Sequence, residues 1–379
     1  MSHNKKKIIR AVTVPQSIGF FKDLIPVLHE KDIEVVALSS PGKEMEELKK
    51  KGVPTVIIPM ERHISVTRDF KALMALIRTF RREKPDMVHS MTPKAGLLCM
   101  MAAWLTRVPV RVHTFTGLVW PTAKGLQRRV LMATDWLTCA CATHVIPEGK
   151  GVMDDLQRHI TRKPMGVLGY GNVKGVDMER FSLRPEIVKL TERLRKREVF
   201  TFLFVGRVVG DKGVNEMVEA FARLHAEHSA CRLVIVGRQE EKLDPLKPET
   251  IQRMDAMEAI EMVGAQYGDD LIAWYAASDC SVLPSYREGF PNTVLEAGAM
   301  GLPCIVTDIN GSREIVEEGK NGIIVPPKDA DALYQAMIRM IEDDLMRKSM
   351  AEHARPMIAS RFEQGFVRQC LLDFYEEIL

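Results

Sequence analysis

Short apolar runs that alternate with helix-length segments constrain this chain more than any other feature of its sequence. Runs of three to seven residues predict strands buried on both faces of a parallel sheet. The helical stretches between them include Asp69–Arg82 and Lys94–Leu105. The alternation therefore predicts a doubly wound α/β fold. The predicted strands are Ile8–Val14, Ile33–Leu38, Thr55–Ile58, Met87–His89, Val110–Phe115, His144–Ile146, Val199–Val205, Cys231–Val236, Ile260–Val263, Cys280–Leu283, Cys304–Val306 and Gly322–Val325.

The runs form two series of six, separated by a charged stretch at residues 184–198. A chain of 379 residues, 46% of them hydrophobic, is long enough to bury two cores. We therefore predict a first domain at residues 1–178, a linker at 179–198 and a second domain at 199–361. Ligands of open α/β sheets bind outside the carboxyl ends of the strands, so a ligand is expected between two facing domains.

The net charge of +3 hides an asymmetry between the two halves. Residues 1–178 contain 28 Lys and Arg against 16 Asp and Glu, a balance of +12, whereas the remainder has a balance of −9. The basic half lacks the interleaved aromatics or recognised module typical of nucleic-acid binding, so no nucleic acid is expected as a partner. Apolar residues flank the basic ones, which fits either a membrane-interfacial patch or a solvated face. The flanked segments are Phe20–Lys22, Trp104–Arg107 and Leu118–Leu131, which includes Trp120.

Neither a signal peptide nor a membrane-spanning helix is predicted. The longest apolar runs, such as Ala95–Leu105, fall well short of the ~18 residues that a spanning helix needs. Seven scattered cysteines show no metal or disulfide spacing, and Cys139 and Cys141 are interpreted as helix packing. These features predict a protein of the reducing cytoplasm without a metal site.

Residues 284–297 predict a strand end, a tight turn and a helix with a carboxylate at each end. Gly289 permits an unusual backbone angle, and Pro291 fits the first helical turn. Glu288 and Glu296 are expected to lie roughly 10 Å apart, too far for an acid/base pair acting on one bond. They instead suit an extended nucleotide sugar, with its diphosphate facing the helix N-terminus. The simpler interpretation is a turn cap and a solvated helix residue.

Arg207 and Lys212 follow the first strand of the second series. Two cations at the carboxyl end of a strand can neutralise a diphosphate and stabilise the charge that develops on it. The alternative is a pair of solvated surface cations. The loop lacks the spacing and the Ser or Thr of a P-loop, and residues 169–175 do not match the dinucleotide-binding glycine pattern.

These segments together resemble family 4 of the retaining glycosyltransferases with the GT-B fold. Residues 288–297 are similar to the E-x7-E motif of that family, and residues 202–213 are similar to its phosphate-binding G-R…K-G element. The resemblance covers most of the chain and is strongest from 199 to 330. It is closest to capsule and exopolysaccharide transferases that use polyprenyl-diphosphate-linked acceptors. Further similar segments are Gly301–Val306, Asn321–Pro327, Thr114–Leu118 and Gly175–Phe181.

The resemblance implies two facing Rossmann-like domains and a final helix, residues 362–379, that crosses back to the first domain. It also implies roles for individual residues. Lys94 is either an acceptor contact or a solvated helix start, and His113 is either a sugar contact or a packed strand residue. Thr116 stands where the family often has a histidine. The implied catalytic residues are Glu288, Arg207 and Lys212, and the implied donor-binding residues are Gly19, Glu296, Gly289, Phe290, Pro291, Asn292 and Thr293. The alternative for Gly19 is a turn without a ligand contact.

The resemblance implies a retaining, metal-independent transfer of a hexose or N-acetylhexosamine. The expected donor is a nucleoside-diphosphate sugar, with UDP as the expected nucleotide, and it is a substrate and not a cofactor. The expected acceptor is a hydroxyl of a polyprenyl-diphosphate-linked saccharide, reached by peripheral contact with the cytoplasmic face of an anionic membrane. The alternatives are a non-hydrolysing GT-B sugar-nucleotide epimerase and a non-enzymatic binding module.

Overall fold

The chain forms two compact units in a computed structural model that describes residues 5–61, 65–240 and 244–379. The N-terminal unit runs to Lys174 and includes Val367–Leu379, whereas the C-terminal unit is Gly175–Phe366. Each unit has a hydrophobic core of its own, built on both faces of one sheet.

The N-terminal unit contains a parallel six-stranded sheet in the order β3-β2-β1-β4-β5-β6. Its strands are β1 Lys6–Ala11, β2 Ile33–Ser39, β3 Thr55–Ile57, β4 Met87–Met91, β5 Val110–Phe115 and β6 His144–Pro147. Its helices are α1 Ile25–Glu30, α2 Lys43–Lys50, α3 Val66–Glu83, α4 Pro93–Leu105, α5 Gly125–Cys141 and α6 Lys150–His159.

The C-terminal unit contains a second parallel six-stranded sheet, in the order β12-β11-β10-β7-β8-β9. Its strands are β7 Phe200–Val205, β8 Cys231–Val236, β9 Ile260–Gly264, β10 Cys280–Leu283, β11 Cys304–Thr307 and β12 Gly322–Val325. Its helices are α7 Pro185–Leu194, α8 Val214–Glu227, α9 Pro248–Ala256, α10 Gly268–Ala276, α11 Asn292–Ala299, α12 Ser312–Ile315, α13 Ala330–Glu342 and α14 Asp344–Phe362, and α15 Gln364–Ile378 follows.

All twelve predicted strands are confirmed, with small differences at their ends. The strand order reverses between β1 and β4 in one sheet and between β7 and β10 in the other. Ligands of open α/β sheets bind at such a switch point, outside the carboxyl ends of the strands. In the C-terminal unit the loop after β7 carries the segment similar to the G-R…K-G element, and the loop after β10 carries the E-x7-E segment, so the topology makes these two segments neighbours.

The segment predicted as a linker, residues 179–198, holds a helix of the C-terminal unit. Helix α7 buries Ile187 and packs against α10. Its charged residues lie mostly on the exposed side. The narrow apolar side of the helix could not be recognised in a segment with so many charged residues.

The final helix, α15, supplies buried side chains to the core of the N-terminal unit. Leu372 and Tyr375 are almost fully buried there. Arg10 donates to the Tyr375 hydroxyl and lies 3.3 Å from Nδ1 of His89. Burial holds the pKa of His89 well below its usual value, so its ring is a neutral acceptor beside the guanidinium. A polar cluster therefore fixes the end of the chain inside this unit.

The interpretation of Trp120 as part of an interfacial patch is wrong. Trp120 is 2% exposed and packs in the core, with the Arg128 guanidinium 5.4 Å from its ring centre. Phe21 and Leu118 are buried as well. These segments are too short for their hydrophobic periodicity to distinguish a core-facing aromatic residue from a surface one.

Within the described residues, no helix is both long and apolar enough to span a bilayer. All seven cysteines are unpaired, and six of them, including Cys139 and Cys141, are buried.

Candidate functional site

The strand, turn and helix predicted for residues 284–297 are present in the structure. Strand β10 ends at Leu283 and α11 begins at Asn292. Pro291 lies immediately before the helix, at its N-cap, and not inside the first turn. Gly289 lies outside the left-handed φ region. The unusual glycine is Gly311, with φ of +77°, whose added Cβ would lie 2.2 Å from the Gly289 carbonyl oxygen.

Glu288 is held by two partners at the start of this turn. Lys212 forms an ion pair with Oε1 of Glu288, and the two side chains are only 16% and 14% exposed. The Ser285 hydroxyl donates to the same oxygen over 2.7 Å. Ser285 is fully buried, and its carbonyl accepts from Thr307 at 2.5 Å. The structure thus joins Lys212 to Glu288 directly, whereas Ser285 is a contact that the sequence did not single out.

The loop after β7 and the loop after β10 are tied together by their backbones. Gly213 has φ of +70°, and a Cβ at this position would lie 2.0 Å from the Pro284 carbonyl oxygen. The Tyr286 N–H donates to the Asp211 carbonyl at 2.8 Å, and Arg287 pairs with the Asp211 carboxylate at 3.0 Å. Only glycine fits where a backbone approaches this closely in the left-handed region. These contacts fix the position of Lys212 relative to Glu288.

Arg207 follows β7 but contacts a different carboxylate. Its guanidinium pairs with Glu240 at 3.1 Å, and its side chain is 43% exposed. Arg207 and Lys212 therefore have separate acidic partners on neighbouring loops. Each ion pair places a cation at the carboxyl edge of the sheet, where an anionic ligand would contact it.

Glu296 lies one helical turn beyond Thr293 on α11 and meets a buried phenol. The Tyr275 hydroxyl donates to Oε2 of Glu296 at 3.0 Å and lies 3.4 Å from the Thr293 carbonyl oxygen. Burial, followed by the charge of Glu296, raises the pKa of Tyr275 well above its usual value, so it stays a donor. Tyr275 was not predicted from the sequence, because nothing in an apolar helix distinguishes a phenol that packs from one that donates.

The remaining residues that were predicted to bind the donor surround the first turn of α11. Asn292 and Thr293 are half-buried and form that turn. The Phe290 side chain is 5% exposed, and its ring centre lies 5.3 Å from that of Phe362 in the core. A binding role for Phe290 therefore falls to its backbone.

Four residues of the N-terminal unit were predicted to contact the donor or the acceptor, and the structure places them in different environments. His113 is buried beside Gly96, with Nδ1 2.9 Å from the Ser90 hydroxyl, and burial lowers its pKa to about 3. This placement is that of a packed strand residue. Lys94 is 10% exposed and pairs with Asp69 at 2.7 Å, so it is not a simply solvated helix start. Gly19 and Thr116 are half-buried; Gly19 lies in a short 3-10 helix after β1 and Thr116 follows β5.

In the described ranges, no group of three or more His, Cys, Asp or Glu side chains is arranged to hold a metal ion. Around the loops after β7 and β10, the C-terminal unit instead places the cations Arg207 and Lys212, the carboxylates Glu288 and Glu296, and the N-terminus of α11.

Comparison with known proteins gives matches along nearly the whole chain. The sequence model of the family described as "Glycosyl transferases group 1" matches residues 189–357, and that of the "Glycosyl transferase 4-like domain" matches residues 21–171. The chain is 30% identical to the capsular polysaccharide biosynthesis glycosyltransferase CapM of Staphylococcus aureus, over 99% of this chain and 98% of that protein.

Two further similarities concern a second enzyme and a solved structure. The chain is 29% identical to the UDP-Gal:alpha-D-GlcNAc-diphosphoundecaprenol alpha-1,3-galactosyltransferase of Escherichia coli, over 95% of this chain and 94% of that protein. The crystal structure of HepE from Anabaena in complex with UDP and glucose superposes with a TM-score of 0.80 at 19% identity, over 98% of this chain and all of that one. At this identity the structural likeness shows the fold.

We expect Gly213→Ala to destabilise the C-terminal unit by about 3 kcal/mol or more, because the new Cβ meets the Pro284 backbone in addition to the φ strain. Gly264→Ala is the matched control, since Gly264 has φ of +72° with nothing within 4 Å of the added Cβ; it should cost only about 1 kcal/mol. Urea unfolding followed by circular dichroism compares the two. Equal losses would show that the approach to Pro284 is unimportant.

Proposed function

The chain belongs to family 4 of the GT-B glycosyltransferases, and we propose that it transfers a hexose or N-acetylhexosamine from a UDP-sugar to a lipid-linked saccharide. The acceptor would be a hydroxyl of a polyprenyl-diphosphate-linked glycan, as used in polysaccharide biosynthesis. Two full-length relatives support this proposal: one is named for capsule biosynthesis, and the other for a diphosphoundecaprenol-linked acceptor and UDP-Gal.

The ion pair between Lys212 and Glu288 is the observation that carries the proposal. Both side chains are largely withdrawn from water, and such a pair contributes little net stability, because desolvation offsets the attraction. A ligand can exploit both members: the diphosphate of a donor would pair with Lys212, and a sugar hydroxyl would donate to Glu288. The helix N-terminus at Asn292 adds backbone N–H donors for the same anion.

The proposed reaction retains the configuration of the sugar and needs no metal. Lys212 and Arg207 would stabilise negative charge on the departing diphosphate, and Glu296 would accept hydrogen bonds from the ribose diol. The acceptor hydroxyl would attack from the face that the diphosphate leaves, and a diphosphate oxygen would take its proton. The bond from the anomeric carbon to the diphosphate breaks, a bond to the acceptor oxygen forms, and UDP is released.

The experiment incubates the protein with radiolabelled nucleotide sugars and a membrane lipid extract, with and without EDTA. We expect one UDP-sugar to label the lipid fraction, with the anomeric configuration kept and the rate unchanged by EDTA. Free epimerised nucleotide sugar would instead identify an epimerase, and binding without turnover would identify a regulatory module. Inhibition by EDTA that magnesium reverses would assign the leaving-group charge to a metal.

The proposed acceptor lies at the cytoplasmic face of an anionic membrane, and the exposed face of α5 supports peripheral contact with such a membrane. Leu126 is 76% exposed and Trp136 is 57% exposed, and Arg129 and Val130 lie between them at helical spacing on the same side. Apolar side chains among basic ones match the composition of interfacial helices. This surface, which we define as Lys124 at the N-cap of α5 together with Leu126, Arg129, Val130 and Trp136, replaces the patch that wrongly included Trp120.

We expect Leu126→Ser combined with Lys124→Glu and Arg129→Glu to lower binding to anionic vesicles by about 10-fold or more, since each basic residue near the surface contributes about 1 kcal/mol. Transfer to a long-chain lipid acceptor should fall in parallel, while transfer to a short, water-soluble acceptor should persist.

The control for this experiment is Leu345→Ser with Lys247→Glu and Arg253→Glu, which changes exposed residues of the C-terminal unit. Co-sedimentation at several salt concentrations measures binding. Unchanged vesicle binding by the α5 variant would leave this helix as an ordinary solvated surface, and an equal loss on both acceptors would place it in the active site.

A further inference from the structure

The hydroxyl of Tyr275 reaches the carboxylate at the far end of the E-x7-E segment from a neighbouring helix. Tyr275 lies near the end of α10, is fully buried, and donates to Oε2 of Glu296 at 3.0 Å. Its oxygen also lies 3.4 Å from the Thr293 carbonyl. A single side chain thus touches the first and second turns of α11.

The Tyr275 ring is held rigidly by its surroundings. It belongs to the core of the C-terminal unit, and its centre lies 6.4 Å from that of Phe181 in an edge-on arrangement. Since packed interiors fix side-chain rotamers, the hydroxyl has a defined position. Burial beside a carboxylate also keeps the phenol protonated, so the hydrogen bond persists across the neutral range.

Glu296 is half-buried. Its side chain has three torsion angles that must be fixed when its carboxylate binds a ligand, whereas the Tyr275 side chain is already fixed by packing. A hydrogen bond to one carboxylate oxygen from a fixed donor restricts the last of these torsions. The entropic cost of ordering the carboxylate is then met when the protein folds and not when the ligand binds.

We propose that Tyr275 is a positioning residue that orients Glu296 to accept hydrogen bonds from the ribose diol of the donor nucleotide. The proposal rests on the function proposed above, in which Glu296 binds the ribose. Tyr275 itself touches no substrate; it acts through the carboxylate. The effect of losing its hydroxyl should therefore appear only with ligands that have ribose hydroxyls.

The test measures calorimetric affinities of Tyr275→Phe for UDP and for 2′,3′-dideoxy-UDP. We expect the variant to bind UDP about 10-fold more weakly than wild type, as for loss of a hydrogen bond to a charged group. Its affinity for the dideoxy nucleotide should match that of wild type. Glu296→Gln should show the same selective loss, because it removes the charge that the diol recognises.

Tyr334→Phe is the matched control. Tyr334 is 7% exposed and donates to the exposed carboxylate of Glu227 at 2.7 Å in the same unit, so Tyr334→Phe removes a phenol–carboxylate hydrogen bond away from α11. It should leave both affinities unchanged, and circular dichroism should show all three variants folded.

The outcomes separate this inference from the proposed function. Equal losses of Tyr275→Phe on both nucleotides, or no loss on either, would overturn the positioning role while a selective loss by Glu296→Gln would leave the ribose assignment standing. A wild-type protein that binds the two nucleotides equally would overturn both the ribose assignment and the role of Tyr275.

Discussion

The approach of the Gly213 backbone to the Pro284 carbonyl is the constraint on which the proposed active site depends. The oxygen of Pro284 lies where a side chain on residue 213 would begin, so the loop after β7 can lie directly against the loop after β10. Because the two strands are parallel neighbours, their loops lie at the same edge of the sheet. The absence of a side chain at Gly213 then allows the two backbones to come into contact. Lys212 and Glu288 then meet as an ion pair. The sheet topology thus brings the two loops close together, and Gly213 allows them to touch.

This geometry gives α11 two differently supported carboxylates. Glu288, just before the helix, is held by a cation and a hydroxyl, whereas Glu296, inside the helix, is held by a buried phenol. The first arrangement is balanced in charge and would be re-paired by an incoming diphosphate. The second is fixed by core packing and would change little on binding. Under the proposed function, one end of the site would exchange partners when the donor binds, and the other end would be preorganised.

Much of the fold could be predicted from the sequence, because strands buried on both faces are continuous apolar runs with clear ends. The motif pattern also singled out Lys212 and Glu288, which the structure brings together, since glycines and charges just after buried strands are typical of loops that bind ligands. Contacts between distant segments could not be predicted in this way. The bond from Tyr275 to Glu296 and the burial of Trp120 depend on which way a side chain points in the tertiary structure. Helix α7 was missed because its single buried residue, Ile187, lies among charged neighbours.

The most direct measurement of the central claim is a double-mutant cycle on kcat/KM for transfer from the UDP-sugar, with Lys212→Ala, Glu288→Gln and the combined variant. Lys196→Ala with Glu261→Gln, an ion pair elsewhere in the C-terminal unit, serves as the control cycle. If the pair acts as one unit, each single change should cost most of the activity, and the double change should cost little more, with a coupling of about 1.5 kcal/mol or greater. Additive losses, within about 0.5 kcal/mol, would mean that Lys212 and Glu288 act independently and would contradict the account.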